Sequence, residues 1–151
     1  MNLSIKPVST STLPFLYRLI KQMAFEEGQG DLFTASYEQF SHAFLCDHPL
    51  VFGHLIYHKD EPIGFIVHQK KFATYIGRKV FYIEDLYLGQ YQHDIDVFRW
   101  LLKEIEHHTK NAGYCRIEIR RLEHHSPPVD PLFSANYHPI DKWKVWRKSL
   151  V

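Results

Sequence analysis

The apolar positions of this chain follow two periods, and each switch from one to the other marks an element. Leu3 and Ile5 alternate with Ser4 and Lys6, which predicts a short first strand ended by Pro7. Leu13, Leu16, Leu19, Ile20 and Met23 then recur at helical spacing, with Thr12 placed to cap, Pro14 in the first turn, and Gly28 and Gly30 stopping the pattern. Ser36 followed by Gln39 has the form of a capping box, and Phe40 and Phe44 carry one face of a second, shorter helix toward Pro49. Leu50 to Tyr57 and Pro62 to Gln69 are rich in β-branched and aromatic residues around the turn-forming HKDEP, so they predict an antiparallel hairpin. After a turn at Tyr75-Ile76-Gly77-Arg78, Lys79 to Leu88 is apolar almost throughout, as a central strand would be.

The second half repeats the alternation of periods. Val97, Leu101, Ile105 and His108 mark the inward stripe of a helix that Asn111-Ala112-Gly113 ends. Cys115, Ile117 and Ile119 alternate with Arg116, Glu118 and Arg120, a period-two strand. A helix separates it from the previous strand, so the two should run parallel with a right-handed crossover. Pro127, Pro128 and Pro131 limit Ser126 to Asn136 to a short helix, because proline removes donors beyond the first turn. Lys142 to Leu150 alternates again, with Trp143 and Val145 against Lys144 and Trp146, and predicts a closing strand. The elements make one mixed α/β domain over residues 1–151, antiparallel at its start and parallel at one crossover.

Composition narrows the partners. Eighteen Lys and Arg stand against seventeen Asp and Glu, so no overall field draws the chain to nucleic acid or to an anionic membrane. The one cluster of arginines, Arg116, Arg120 and Arg121, is interleaved with Glu118 and Glu123. No run approaches the roughly 20 apolar residues of a membrane helix, and the start has no signal-peptide core, so a cytoplasmic protein is expected. Cys46 and Cys115 lack a CxxC partner and read as reduced thiols. The histidine pairs His107–His108 and His124–His125 are sequence neighbours that point apart, without zinc-ligand spacing, so no metal site is expected.

Candidate chemistry concentrates between Ile83 and Leu102. There a strand carrying the adjacent acids Glu84 and Asp85 passes through a polar turn into an amphipathic helix. A strand feeding a helix in this way presents unpaired N–H groups and the positive end of the helix dipole, which suits a phosphate. A carboxylate beside it suits proton removal from an ammonium, which has no lone pair until deprotonated.

In order and spacing, LYRLIKQMAFEE, PIGF, YIGRKVFYIEDLYL and PIDKWKVWRKSL resemble the GNAT N-acetyltransferase superfamily, most closely its diamine (spermidine/spermine) and thialysine acetyltransferase branch. The resemblance covers nearly the whole chain, and IEDLYL is its most specific part. It implies a GNAT-like α/β (α+β) domain with a mixed sheet of about six to seven strands and helices on both faces. Strands four and five would form a splayed parallel pair holding acetyl-CoA, and the acetyl group would pass directly to a primary amine. It also implies a homodimer. The acids of that branch fall on Glu84, as base, and Asp85, as a binding or orienting charge; successive strand residues should place them on opposite sides. Cofactor-binding positions fall on Leu86, Tyr87, Leu88, His93, Asp94, Ile95, Asp96, Val97 and Phe98.

The chain departs from the family pattern at three places. The turn R/Q-x-x-G-x-G/A reads His93 to Phe98, with Asp96 and Phe98 at the glycine positions. Asp94 or Asp96 at this helix start caps the helix, and the acid repels a diphosphate. In the Y-x-x-x-G-F motif the tyrosine position is Leu132 or Phe133, Asn136 stands for the glycine, and Tyr137 is the nearest phenol that could serve as acid. Ala73 and Tyr75 replace the acid and tryptophan of polyamine enzymes, after the cations Lys70 and Lys71. Two readings follow from these residues: an acetyl-CoA-dependent N-acetyltransferase acting on a small diamine-like or amino-acid-like acceptor, and a catalytically silent fold that binds a partner or ligand in the same cleft.

Overall fold

A computed structural model describes residues 1–122 and 131–151; Glu123, His124, His125, Ser126, Pro127 and Pro128 lie outside them. The element order is β1 (Leu3–Pro7), α1 (Leu13–Glu26), α2 (Tyr37–Leu45), β2 (Phe52–His58), β3 (Glu61–Ala73), β4 (Arg78–Tyr87), α3 (Ile95–Asn111), β5 (Arg116–Ile119) and α4 (Pro131–Ser134). The strands form one sheet in chain order. The β1–β2, β2–β3 and β3–β4 pairs are antiparallel and β4–β5 is parallel.

Two apolar clusters hold helices to the two faces. Leu13, Leu16, Leu19, Ile20 and Met23 of α1 pack on Leu55, Phe65, Val67 and Tyr87, with Phe40 and Phe44 of α2 at the margin. On the other face Val97, Phe98, Leu101, Leu102 and Ile105 of α3 cover Ile56, Ile66, Phe81, Ile83 and Leu88. Burying each such side chain stabilises by about 1.5–3 kcal/mol relative to exposure, which outweighs the few tenths that separate helix propensities. The capping box of α2 forms as its sequence predicts: Gln39 N–H donates to Ser36 Oγ (3.1 Å) and Ser36 N–H to Gln39 Oε1 (2.8 Å).

Three expectations need correction. Thr12 occupies the cap position of α1 without bonding the helix, because its Oγ1 accepts instead from Ser9 N–H at 2.8 Å. The inward stripe of α3 ends on buried Thr109, not on His108, which is exposed; Thr109 Oγ1 donates back to the Ile105 carbonyl at 2.8 Å. The closing strand over Lys142 to Leu150 does not form, and Trp143, Val145, Trp146 and Leu150 are 67, 96, 91 and 89 % exposed. The sheet therefore has five strands among the described residues rather than six to seven. Alternation states which side chains a strand would bury once paired, but a strand needs a neighbour's backbone to satisfy its N–H and C=O groups.

Candidate active site

The acids of IEDLYL are brought together by an irregularity in β4. Val67 pairs with Asp85 and His68 with Ile83, so Glu84 is an extra residue opposite none on β3, a β-bulge. Ile83 and Leu86, on either side of the acids, both pack in the α3 cluster. Two residues rather than one therefore lie between inward positions, and both carboxylates emerge on the same side. This corrects the expectation that Glu84 and Asp85 face opposite ways, which holds only for a strand without a bulge.

Both carboxylates meet the guanidinium of Arg120, just past the end of β5. Arg120 Nη2 is 3.1 Å from Glu84 Oε1 and 3.2 Å from Asp85 Oδ1, and Nε donates to the Glu84 carbonyl at 3.3 Å. Gln69 Nε2 donates to the second oxygen, Glu84 Oε2, at 3.3 Å. Burial raises the pKa of Asp85; Arg120 pulls it back and Glu84 pushes it up further, leaving it above the ordinary carboxylate value. Burial works against the charge on Arg120, but the two acids outweigh it and raise its pKa. Sequence reading assigned Arg120 only to a mixed surface cluster and passed over Gln69. The available signal was topological: a parallel neighbour brings its first post-strand residue beside the acids.

The acids stand where the parallel strands part. Pairing of β4 with β5 runs from Val80–Arg116 to Ile83–Ile119 and finishes with Arg120 N–H on the Ile83 carbonyl at 3.0 Å. Beyond it β4 continues on β3 alone to Tyr87. Gly64 of PIGF makes this close approach feasible: a Cβ there would overlap the Tyr87 carbonyl oxygen and lie 3.0 Å from Leu88 Cα. Leu86 lines the α3 side, Leu88 is fully buried, and Tyr87 is buried with its hydroxyl donating to Glu26 Oε2 at 2.8 Å.

The turn after β4 satisfies its own donors. Residues Gly89–Tyr91 form one turn of 3-10 helix, and Gln92 Oε1 accepts from Leu88 N–H at 3.0 Å. Asp94 caps α3, its Oδ1 accepting from Asp96 N–H and Val97 N–H at 3.1 Å each. His93 precedes the cap, Ile95 and Asp96 begin the helix on its exposed side, and the side chains of Val97 and Phe98 are in the core. The carboxylate expected from the sequence to fill the anion cradle thus does so, taking two N–H groups that a glycine-rich turn would offer to a diphosphate.

Tyr137 lies away from the acids' bonds. Asn136 before it has φ 62°, the left-handed conformation asparagine tolerates in place of glycine. Tyr137 packs on the α3 cluster with its hydroxyl buried and unpartnered among the described residues. Burial, aided by the Glu106 charge, pushes its pKa up to about 12, so it gives up a proton less readily than a free phenol. Among the described residues no group of His, Cys, Asp and Glu is placed to hold a metal ion, and no helix is long and apolar enough to cross a membrane.

No family model matches the chain, and no curated protein matches its sequence. Solved structures share the fold over the full length. A possible acetyltransferase from Clostridium difficile 630 has a TM-score of 0.78 at 13% identity, covering 100% of this chain and 99% of that one. An aminoglycoside acetyltransferase from an uncultured soil metagenomic sample, solved with sisomicin, has 0.78 at 12% identity, covering 99% and 97%. The ribosomal-protein-alanine N-acetyltransferase of Brucella melitensis biovar Abortus 2308 has 0.72 at 11% identity, covering 99% of each. The chain therefore has the GNAT acetyltransferase fold; at these identities the likeness speaks for fold alone.

Proposed function

We propose that this protein transfers an acetyl group from acetyl-CoA to a primary amine of a small molecule. The observation that carries the reading is the pair of carboxylates, Glu84 and Asp85, turned to one side beside the gap where β4 leaves β5. An amine arriving as ammonium needs a base before its nitrogen can attack a thioester. The family resemblance casts Glu84 as base, but Asp85, whose pKa is raised, is better suited to accept that proton, and Glu84, held by Gln69 and Arg120, orients the nitrogen.

The residues fit the cofactor at one end and depart from the family at the other. The gap beside residues 84–88 suits the extended thioester arm, and acetyl-CoA bound there supplies the activated acyl group. At the diphosphate end Asp94 holds two of the donors and Asp96 adds like charge. The acceptors named among the structural neighbours are an aminoglycoside and a ribosomal-protein alanine rather than a diamine, which supports the general reaction without the diamine branch.

Calorimetric titration with acetyl-CoA and a screen of primary amines test the reading. Heat on titration, and acetyl transfer lost in Glu84→Gln and Asp85→Asn, are expected; no heat and no thermal shift at millimolar cofactor would sink it. The self-satisfied turn favours a second reading, a non-catalytic module that takes an amine-bearing ligand in the same cleft. That alternative is excluded by acetyl transfer that depends on either acid.

A further inference from the structure

Building on the assignment of Glu84 and Asp85 as the amine-side acids, we infer that Arg120 selects acceptors in which the amine carries its own carboxylate one or two carbons away, as in an α- or β-amino acid.

A cation already sits at the amine's position. Arg120 Nη2 touches both carboxylates and Nε the Glu84 carbonyl, so these contacts run through two of its three nitrogens. The side chain is 50% exposed, so a ligand can reach the guanidinium from solvent. Glu118, the other acid on this strip of sheet, is held by Lys71 at 3.5 Å and Arg116 at 3.3 Å and does not compete for Arg120.

A bare ammonium entering here meets two attractive charges and one repulsive charge at contact distance. The guanidinium cancels much of what the acids offer. An acceptor with a nearby carboxylate removes the conflict: its ammonium lies against Glu84 and Asp85, and its carboxylate takes the open side of the guanidinium fork. The separation is short because Nη1 and Nη2 belong to one planar group. A carboxylate four or five carbons from the amine overshoots it.

The three-charge arrangement also explains the choice of residue. Lysine would supply the charge without the fork, so it could not hold Glu84 and Asp85 through one nitrogen and the Glu84 carbonyl through another.

Binding without cofactor tests this separately from catalysis. L-Alanine and ethylamine differ only by the carboxylate, and 5-aminopentanoate moves that carboxylate out of reach. Titrations followed by NMR should show L-alanine binding at least about tenfold tighter than ethylamine or 5-aminopentanoate, a difference of about 1.4 kcal/mol. Arg120→Gln should abolish the preference by weakening L-alanine and strengthening ethylamine. Arg120→Lys should fall between the two, and circular dichroism checks that both variants are folded. Equal binding of L-alanine and ethylamine to the wild type, an unchanged ratio in Arg120→Gln, or no binding of any probe at tens of millimolar overturns the inference. Acetylation of amines without carboxylate preference would refute it while leaving the acetyltransferase reading intact. Selective L-alanine binding without acetyl transfer would do the reverse.

Discussion

Replacing His68 by phenylalanine should stabilise the protein, and by more as the medium is acidified. His68 is 5% exposed, its ring stacked on Phe81 at 4.1 Å and flanked by His54 and Phe52 at 5.2 Å each. Neither ring nitrogen has a hydrogen-bond partner among the described residues. Burial, reinforced by the facing charges of His54, His108 and Lys70, lowers its pKa from 6.5 to about 3. The folded pKa lies below the unfolded one, so the unfolded chain binds the extra proton. The contribution to stability is intact above about pH 6.5 and is lost as pH falls toward 3. At about 1.4 kcal/mol per pH unit, the loss between about pH 7.5 and about pH 4.5 is roughly 2.5 kcal/mol. Phenylalanine keeps the stack and removes two unpaired nitrogens, adding about 1 kcal/mol at neutral pH. Urea unfolding followed by circular dichroism at a series of pH values should give a variant-minus-wild-type difference of about 1 kcal/mol at neutral pH. It should widen to roughly 3.5 kcal/mol near pH 4.5. A difference that does not change with pH, or a variant less stable throughout, would refute the argument. Either result would mean that the imidazole finds a partner in the native state.

Two further substitutions probe the frame of the site. Gly64→Ala places a methyl against the Tyr87 carbonyl and Leu88 Cα, so it should cost about 1–3 kcal/mol; an unchanged melting temperature would show that β3 and β4 separate freely there. Asp94→Ala should act with opposite signs on two measurements. Thermal unfolding should show a loss of about 1 kcal/mol from the missing cap, while acetyl-CoA should bind more tightly because Asp96 N–H and Val97 N–H are released. Weaker cofactor binding in this variant would mean that Asp94 supports the cofactor rather than displacing it.

Local chemistry made much of this molecule readable in advance. The leucine stripe of α1, the Ser36–Gln39 box and the hairpin strands each rest on residues close along the chain, and the parallel step from β4 to β5 follows from the helix between them. Period and capping report such interactions directly. The family likeness of IEDLYL located the acids, and Asp94 was legible as a helix cap because a cap needs only the next three residues. What the acids do to one another was not legible. The bulge at Glu84 arises from the β3–β4 register, and Arg120 reaches both carboxylates only because β5 ends beside β4. The buried, unbonded state of His68 likewise depends on Phe52, His54 and Phe81 from two other strands of the same sheet.

The C-terminal segment shows the limit from the other side. Its alternation is as regular as that of β5, yet only β5 has a neighbour to pair with among the described residues. By itself the sequence determined the helices, the strands β1 to β5, the caps at Ser36 and Asp94 and which two acids stand at the strand end, because those depend on contacts close along the chain. The tertiary structure alone decided that the acids share one arginine and that the strands part beside them. Register and strand order join residues that no local pattern connects, and the charge balance of the site follows from them.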